Sequence, residues 1–135
     1  AGVPVSVMVA PVIPGLTDPE IERILEAAAE AGARQADFIV VRLPGEVEGL
    51  FRDWLEAHVP GRAGRVMSRI GAMRGGQASS ARFHERITGT GADAALLSRR
   101  FAVAARRLGL GKRGYDLECT RFAPPPRPGD QLRLL

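Results

Sequence analysis

Apolar residues run almost without a break over residues 3–10 and again over residues 36–43. Such valine- and isoleucine-rich runs are typical of strands buried on both faces of a parallel sheet, because a strand with one solvent-exposed face alternates apolar and polar residues. Between the two runs, apolar residues recur at helical spacing, at Ile21, Ile24, Leu25 and Ala28. Strand, helix and strand in this order predict a βαβ unit with parallel strands and a right-handed crossover.

Breaking and capping residues mark the borders of this unit. Two prolines and a glycine within residues 11–15 are expected to end the first strand, because proline lacks the N–H that a strand ladder or a helix needs. The following helix has two alternative starts. Asp18 caps it with Pro19 at the first helical position, or Thr17 caps it with Glu20 closing a capping box.

Helical spacing of apolar residues also predicts helices over residues 47–58, 62–73 and 92–108. Trp54 and the methionines are expected in the core rather than at a cofactor, since large apolar side chains usually fill cores. The proline-rich stretch that begins at residue 123 predicts an extended, mobile linker, because its composition cannot form a packed core.

These elements predict an α/β fold: two parallel strands as the C-terminal portion of a partial (β/α) TIM-like barrel, followed by a helical region and a disordered tail. The expected divisions are residues 1–58 for the end of the barrel, 59–110 for the helical region and 111–135 for the tail. Two doubly buried strands need neighbours that this sequence does not supply. The sequence also opens without a methionine, on a loop-like Ala-Gly-Val-Pro. We therefore expect a C-terminal piece of a larger β/α enzyme.

Charge adds a second possibility. The net charge of +4 favours an acidic partner such as nucleic acid, and Lys112 is the only lysine, so arginine supplies nearly all of the positive charge. The arginines expected to contact nucleic acid are Arg82, Arg86, Arg99 and Arg100. A GC-rich genome would produce the same arginine bias without such a partner. Because no apolar run is long enough to span a membrane, the expected location is the cytoplasm.

Candidate chemistry lies at the carboxyl ends of the two strands, where β/α folds place their binding and catalytic loops. The first loop contributes Pro11, Val12 and Ile13, which can shape a pocket or contact an adenine but cannot transfer a proton. The second strand ends in Arg42 and Leu43. The Arg42 guanidinium suits a carboxylate or a phosphate, and a salt bridge at the barrel rim is the alternative.

Catalytic motifs are missing from the sequence. Cys119 is the only cysteine, and neither His58 nor His84 has the neighbours that a zinc site or a catalytic triad requires. The residues alone therefore predict binding and no particular reaction.

A family resemblance narrows the choice of enzyme. The run Val-Met-Val-Ala-Pro-Val-Ile-Pro-Gly-Leu-Thr-Asp at residues 7–18 resembles a late barrel strand of radical SAM proteins, in the branch related to spore photoproduct lyase and labelled DNA repair photolyase-like. The similarity continues along most of the chain, through residues 31–33, 41–44, 74–76, 107–110 and 131–132.

This resemblance implies a lyase-like parent enzyme. Members of the family bind a [4Fe-4S] cluster through Cys-x3-Cys-x2-Cys and cleave S-adenosylmethionine to a 5′-deoxyadenosyl radical. The motif is absent from this chain, so the resemblance places its cysteines upstream of residue 1 and makes this piece inactive alone. By analogy of position, the residues that would line the S-adenosylmethionine side of the barrel are Pro11, Val12, Ile13, Arg42 and Leu43. A half-barrel from an unrelated β/α enzyme, such as an aldolase, is the alternative.

The last five residues suggest a partner. Gln131, Leu132, Leu134 and Leu135 form a Gln-Leu-x-Leu-Leu end that is similar to the pentapeptide with which bacterial proteins bind the DNA sliding clamp, although Leu135 replaces the aromatic residue. A mobile linker would present these anchors to a pocket. The alternatives are a plain disordered end, or a basic binding module for nucleic acid and clamp without catalysis.

Overall fold

The computed structural model describes residues 3–79 and 85–111, together with residues 120, 121, 123 and 125. In order along the described chain, the elements are β1 (Ser6–Val12), α1 (Ile21–Glu30), β2 (Gln35–Val40), α2 (Val47–His58), α3 (Pro60–Ala72), α4 (Glu85–Thr88) and α5 (Gly91–Arg107). One turn of 3₁₀ helix, Asp18–Glu20, precedes α1. The predicted α/β class is confirmed, whereas the partial barrel and the disordered tail remain predictions.

The predicted strand–helix–strand unit forms as a parallel pair. Ser6 lies opposite Gln35 and Met8 opposite Asp37 in the β1–β2 register. Contrary to the expectation that Pro11 ends the strand, β1 continues to Val12. The register shifts between Val9 and Val12, and this irregularity accommodates a proline that cannot donate to the ladder.

One face of this sheet is covered by helices and supports the first core. Alternate strand residues, including Val9, Phe38 and Val40, are buried against α1 and α5. Phe101 of α5 is fully buried, and its ring centroid lies 4.7 Å from that of Phe38. The apolar stripe that predicted α1 therefore supplies Leu25 to the same core.

The other face of the sheet is open within the described part of the chain. Met8 is 54% exposed, and its register neighbour Asp37 is also exposed. Ala10 is exposed and Ile39 is half-buried on the same face. Burial of both faces therefore stays a prediction about neighbours that these residues do not provide.

A second core joins the loop after β2 to the two following helices. Leu43, Leu55, Val66 and Ile70 are buried together between this loop, α2 and α3. The predicted bounds of α2 agree with the structure, and α3 begins at Pro60, before the predicted start.

The expected burial of Trp54 is wrong in the described structure. Trp54 is 45% exposed, whereas the adjacent Leu55 is completely buried. The Trp54 ring instead stacks on His58, with 5.0 Å between ring centroids. The physical reason is that α2 buries only the side of the helix that faces α3. Among the methionines, Met73 is buried as predicted, whereas Met8 is exposed.

Candidate functional site

The carboxyl ends of β1 and β2 lie side by side. The Val41 N–H donates to the Val12 carbonyl oxygen at 2.9 Å, so the loops that follow the two strands share one edge of the sheet. The structure therefore brings together the five residues predicted to line a cofactor.

The side chains of these five residues differ in how exposed they are at that edge. Val12 and Leu43 are buried in the two separate cores, so their side chains cannot contact a ligand as expected. Pro11 and Arg42 are exposed, and Ile13 is half-buried. Among the described residues, none forms a hydrogen bond or ion pair with the Arg42 side chain, which leaves its guanidinium available to an anion.

Thr17 and Asp18 close the loop after β1. The Thr17 hydroxyl accepts the Ile13 N–H at 2.9 Å, and Asp18 Oδ1 accepts the Gly15 N–H at 2.6 Å. Neither side chain caps the helix as predicted, since no side-chain cap hydrogen bond is formed at the 3₁₀ turn or at α1. Both side chains bond backward, to the loop, in which Gly15 adopts a left-handed φ of 82°.

Asp18 also connects this loop to two distant helices. Its side chain is buried, and Oδ2 lies 3.4 Å from Arg100 Nη1 and 4.0 Å from Arg69 Nη1. Arg100 Nη2 additionally donates to the Asp18 backbone carbonyl at 3.1 Å. The position of the loop is therefore set by charge contacts from α3 and α5.

Arg100 is further held by a two-point contact with Glu22 of α1. Arg100 Nε and Nη2 lie 3.1 and 2.9 Å from the two carboxylate oxygens. This hydrogen bonding lowers the pKa of Glu22 and raises the pKa of Arg100. In the same way, the hydrogen bond from Arg69 to Asp93, at 3.1 Å, raises the pKa of Arg69.

These contacts affect the predicted nucleic-acid surface. Arg100 is engaged by two carboxylates, whereas Arg99 is exposed and makes no ion pair with the rest of the described chain. Arg82 and the side chain of Arg86 lie outside the described residues. So do the predicted clamp-binding residues Gln131, Leu132, Leu134 and Leu135.

The carboxyl end of β2 is held by a buried arginine that the sequence analysis did not identify as a site residue. Arg74 is only 5% exposed, and its Nη2 donates to the carbonyl oxygens of Val40 and Val41 at 3.1 Å each. It follows α3 and precedes Gly75 and Gly76. The side chain fixes the end of β2, and so fixes where Arg42 emerges.

Metal-binding chemistry does not fit the described residues. No group of three His, Cys, Asp or Glu side chains is placed to hold an ion in this part of the chain. His58 is exposed, and its Nδ1 lies 2.9 Å from the Trp54 carbonyl oxygen, while Cys119 and His84 lie outside the described residues.

No family model matches the chain, and neither a curated protein nor a solved structure is found to be similar to it. None of the helices in the described ranges combines the length and the apolar character needed to cross a membrane.

Proposed function

We propose that this chain is the C-terminal β/α portion of a radical SAM enzyme of the spore photoproduct lyase-related branch. The observation that supports this proposal is the parallel β1–β2 pair with one covered and one open face. Parallel strands occur almost only in sheets whose two faces are covered. In the proposed enzyme, further strands would extend the pair, and the open face would turn toward the barrel interior.

The carboxyl-terminal part of the open face has an apolar composition that suits such a position. It presents Met8, Ala10 and Ile39, beside the acidic Asp37, whereas the beginning of the two strands is polar, with Ser6 hydrogen-bonded to Gln35. A barrel interior is filled by side chains from several strands, so these residues would be covered by strands outside the described pair.

At the carboxyl edge, Arg42 is the residue proposed to bind S-adenosylmethionine. Its guanidinium is exposed at the sheet edge to which Pro11 and Ile13 also belong, and a planar fork of donors matches a carboxylate such as that of the methionine moiety. The apolar Pro11 and Ile13 would contact the adenine.

The iron–sulfur cluster does not fit the residues of this chain. Its motif needs three cysteines, and the sequence contains one. When bound, a [4Fe-4S] cluster supplies the electron that cleaves S-adenosylmethionine. We therefore place the cluster ligands in a preceding segment of the enzyme and propose no catalysis by this chain alone.

The test begins with the coding sequence upstream of residue 1. An in-frame Cys-x3-Cys-x2-Cys is expected, and the longer protein, purified without oxygen, should contain iron and sulfide and release 5′-deoxyadenosine when reduced. An intact gene without this motif would refute the proposal and leave an unrelated β/α enzyme.

The role of Arg42 is tested in the same longer protein. Replacing Arg42 by Ala should weaken S-adenosylmethionine binding about tenfold, since a hydrogen-bonded charge contact is lost. Arg34→Ala removes an exposed arginine before β2, at the opposite end of that strand, and is the matched control. Equal weakening by both variants would exclude Arg42 as a ligand.

A second candidate function, nucleic-acid binding, is favoured by Arg99, which is exposed and makes no ion pair within the described part of the chain. Binding of an oligonucleotide should weaken as salt rises, and Arg99→Ala should lower the slope of that dependence by about one. Arg82, Arg86 and Arg100 are proposed contributors as well. Binding that is indifferent to salt would contradict this function.

The proposed clamp contact is tested separately. Removing residues 131–135 should abolish binding to the sliding clamp while leaving oligonucleotide binding unchanged. Full clamp binding by the shortened chain would exclude the tail as the docking segment.

A further inference from the structure

A cavity of about 330 Å³ lies between the loop after β1 and the first half of α3. Its volume is at the lower end of the range of small-molecule sites, about 300–1,000 Å³. The residues that form its walls include Gly15, Asp18, Gly61, Arg62, Arg65 and Arg69. None of them belongs to the predicted cofactor edge or to the predicted nucleic-acid surface.

The arginines of this cavity share one face of α3. Arg62, Arg65 and Arg69 follow one another at three- and four-residue spacing, which places them in a row along the helix. Arg62 and Arg65 are exposed, and neither forms a hydrogen bond or ion pair through its side chain with the described residues. Like charges at this spacing repel each other, so a bound anion would stabilise the row.

Arg69 occupies a fixed position at the inner end of the row. Its Nε lies 3.1 Å from Asp93 Oδ2, and Nη1 lies 4.0 Å from Asp18 Oδ2. The two carboxylates hold the Arg69 side chain, which is about one-third exposed, and reduce its loss of conformational freedom when a ligand binds.

The carboxylate of Asp18 does not cancel the positive charge of the cavity. Asp18 is the one acidic residue among the described residues that form the walls, against the three arginines. Its Oδ1 accepts the Gly15 N–H and its Oδ2 contacts Arg100 and Arg69, whereas Arg62 and Arg65 have no carboxylate partner among the described residues. The cavity therefore keeps an excess of guanidinium groups.

Gly15 forms the part of the wall next to the Arg69 side chain. A Cβ at this position would lie 3.5 Å from Arg69 Cδ and 3.6 Å from Arg69 Nη1, and would fill the space beside the guanidinium. The left-handed φ of Gly15 also disfavours any other residue there. The Gly15 backbone and the Arg69 guanidinium thus form neighbouring parts of the cavity wall.

We propose that this cavity binds a phosphate group, with Arg62 and Arg65 as its ligands and Arg69 as a fixed wall. Guanidinium groups match phosphate oxygens through paired N–H donors, and two of them converging on one cavity favour a doubly charged group over a single carboxylate. S-adenosylmethionine contains no phosphate, so the ligand is a different molecule from the proposed cofactor. The phosphate belongs either to a small phosphorylated compound or to a nucleic acid.

Calorimetric titration with pyrophosphate at constant ionic strength tests the site. The unmodified chain should bind, and the double variant Arg62→Gln/Arg65→Gln should bind about 100-fold more weakly, at about tenfold for each charged hydrogen-bonded contact. The control is Arg34→Gln/Arg106→Gln, which removes two exposed arginines elsewhere and so changes net charge equally. It should bind within about twofold of the unmodified chain, because exposed distant charges are screened by salt.

A single-stranded oligonucleotide distinguishes the two sources of phosphate. Displacement of the oligonucleotide by pyrophosphate, with both lost in the Arg62/Arg65 variant, supports the site with a nucleic-acid phosphate as ligand. Pyrophosphate binding without such displacement supports it with a small phosphorylated compound. No pyrophosphate binding by the unmodified chain, or equal weakening in both double variants, would overturn the proposal.

Discussion

The two faces of the sheet consist of the same two strands and differ in what covers them. On one face, α1 and α5 bury Val9 and Phe38, and Phe101 packs against the Phe38 ring. On the other face, Met8 and Asp37 are exposed beside each other. Within the described residues, the sheet therefore contributes to a core through one face, while the other face is available for contacts that these residues do not make.

This difference separates what a pattern of apolar residues predicts from what it leaves open. The apolar runs along both strands predict that both faces are buried, yet within the described residues helices cover only one of them. A face of the sheet is buried only if a helix or another strand packs against it. Whether one does is a property of the whole fold. Substitutions on each face test whether the two faces contribute differently to the free energy of unfolding.

The largest expected effect on stability comes from removing the Phe101 side chain from the core at the covered face. Phe101→Ala should lower the free energy of unfolding by about 3–5 kcal/mol, because a fully buried ring leaves a cavity that the core cannot fill. Chemical denaturation followed by circular dichroism measures this loss. Phe101→Leu is the control and should cost less than about 1.5 kcal/mol, since most of the volume is retained. A loss below about 1 kcal/mol for the alanine variant would show that this face is not a core.

Several elements of the fold could be predicted because their signals are local. Helical spacing gave the bounds of α2 correctly, and the two valine-rich runs gave a parallel pair. The exposure of Trp54 could not be predicted in this way, because an apolar stripe does not state which part of it meets a neighbouring helix.

The contacts around Asp18 depend on residues far apart in the sequence. Its neighbourhood in the sequence predicts a helix cap, but its partners Arg69 and Arg100 come from α3 and α5. The proposed phosphate site likewise depends on residues that are far apart in the sequence. Three arginines on α3 become a site only when the loop containing Gly15 packs beside them.

The next largest effect is expected at Asp18, which links the loop after β1 to α3 and α5. Asp18→Ala should lower the free energy of unfolding by about 1–3 kcal/mol, because the Gly15 N–H loses its acceptor and Arg100 loses a partly buried partner. Asp18→Asn retains an oxygen for Gly15 but removes the charge, and should cost less. Equal losses in the Ala and Asn variants, measured by chemical unfolding, would show that the charge contact with Arg100 is the main contribution.

A smaller effect, dependent on pH, is expected from the Glu22–Arg100 contact between α1 and α5. The hydrogen bond from Arg100 lowers the pKa of Glu22 in the folded state, so this contribution is complete above the unfolded pKa of about 4.3 and is lost as the pH falls through the lower folded value. Because both side chains are partly exposed, the contribution should not exceed about 1 kcal/mol. The measurement is unfolding free energy against pH, with Glu22→Gln as the control without this titration. A Gln variant with the same acid dependence would assign the effect to other carboxylates.

The smallest effect is expected on the open face. Met8→Thr should change the free energy of unfolding by no more than about 0.5 kcal/mol, because an exposed side chain loses few contacts and threonine is favourable in a strand. Its matched control is Val9→Thr, one residue along the same strand but buried on the covered face, where the added hydroxyl should cost about 1–3 kcal/mol.

The ratio of these two losses measures how different the faces are in solution. If Met8→Thr costs as much as Val9→Thr, the open face is covered, and sedimentation at several concentrations would show whether a second copy of the chain covers it. If the two losses differ as expected here, the same pair of variants in the longer protein becomes informative. There the proposed barrel would cover Met8, so Met8→Thr should become more costly while the cost of Val9→Thr stays the same. An unchanged, small cost for Met8→Thr in the longer protein would contradict placement of this face in a barrel interior.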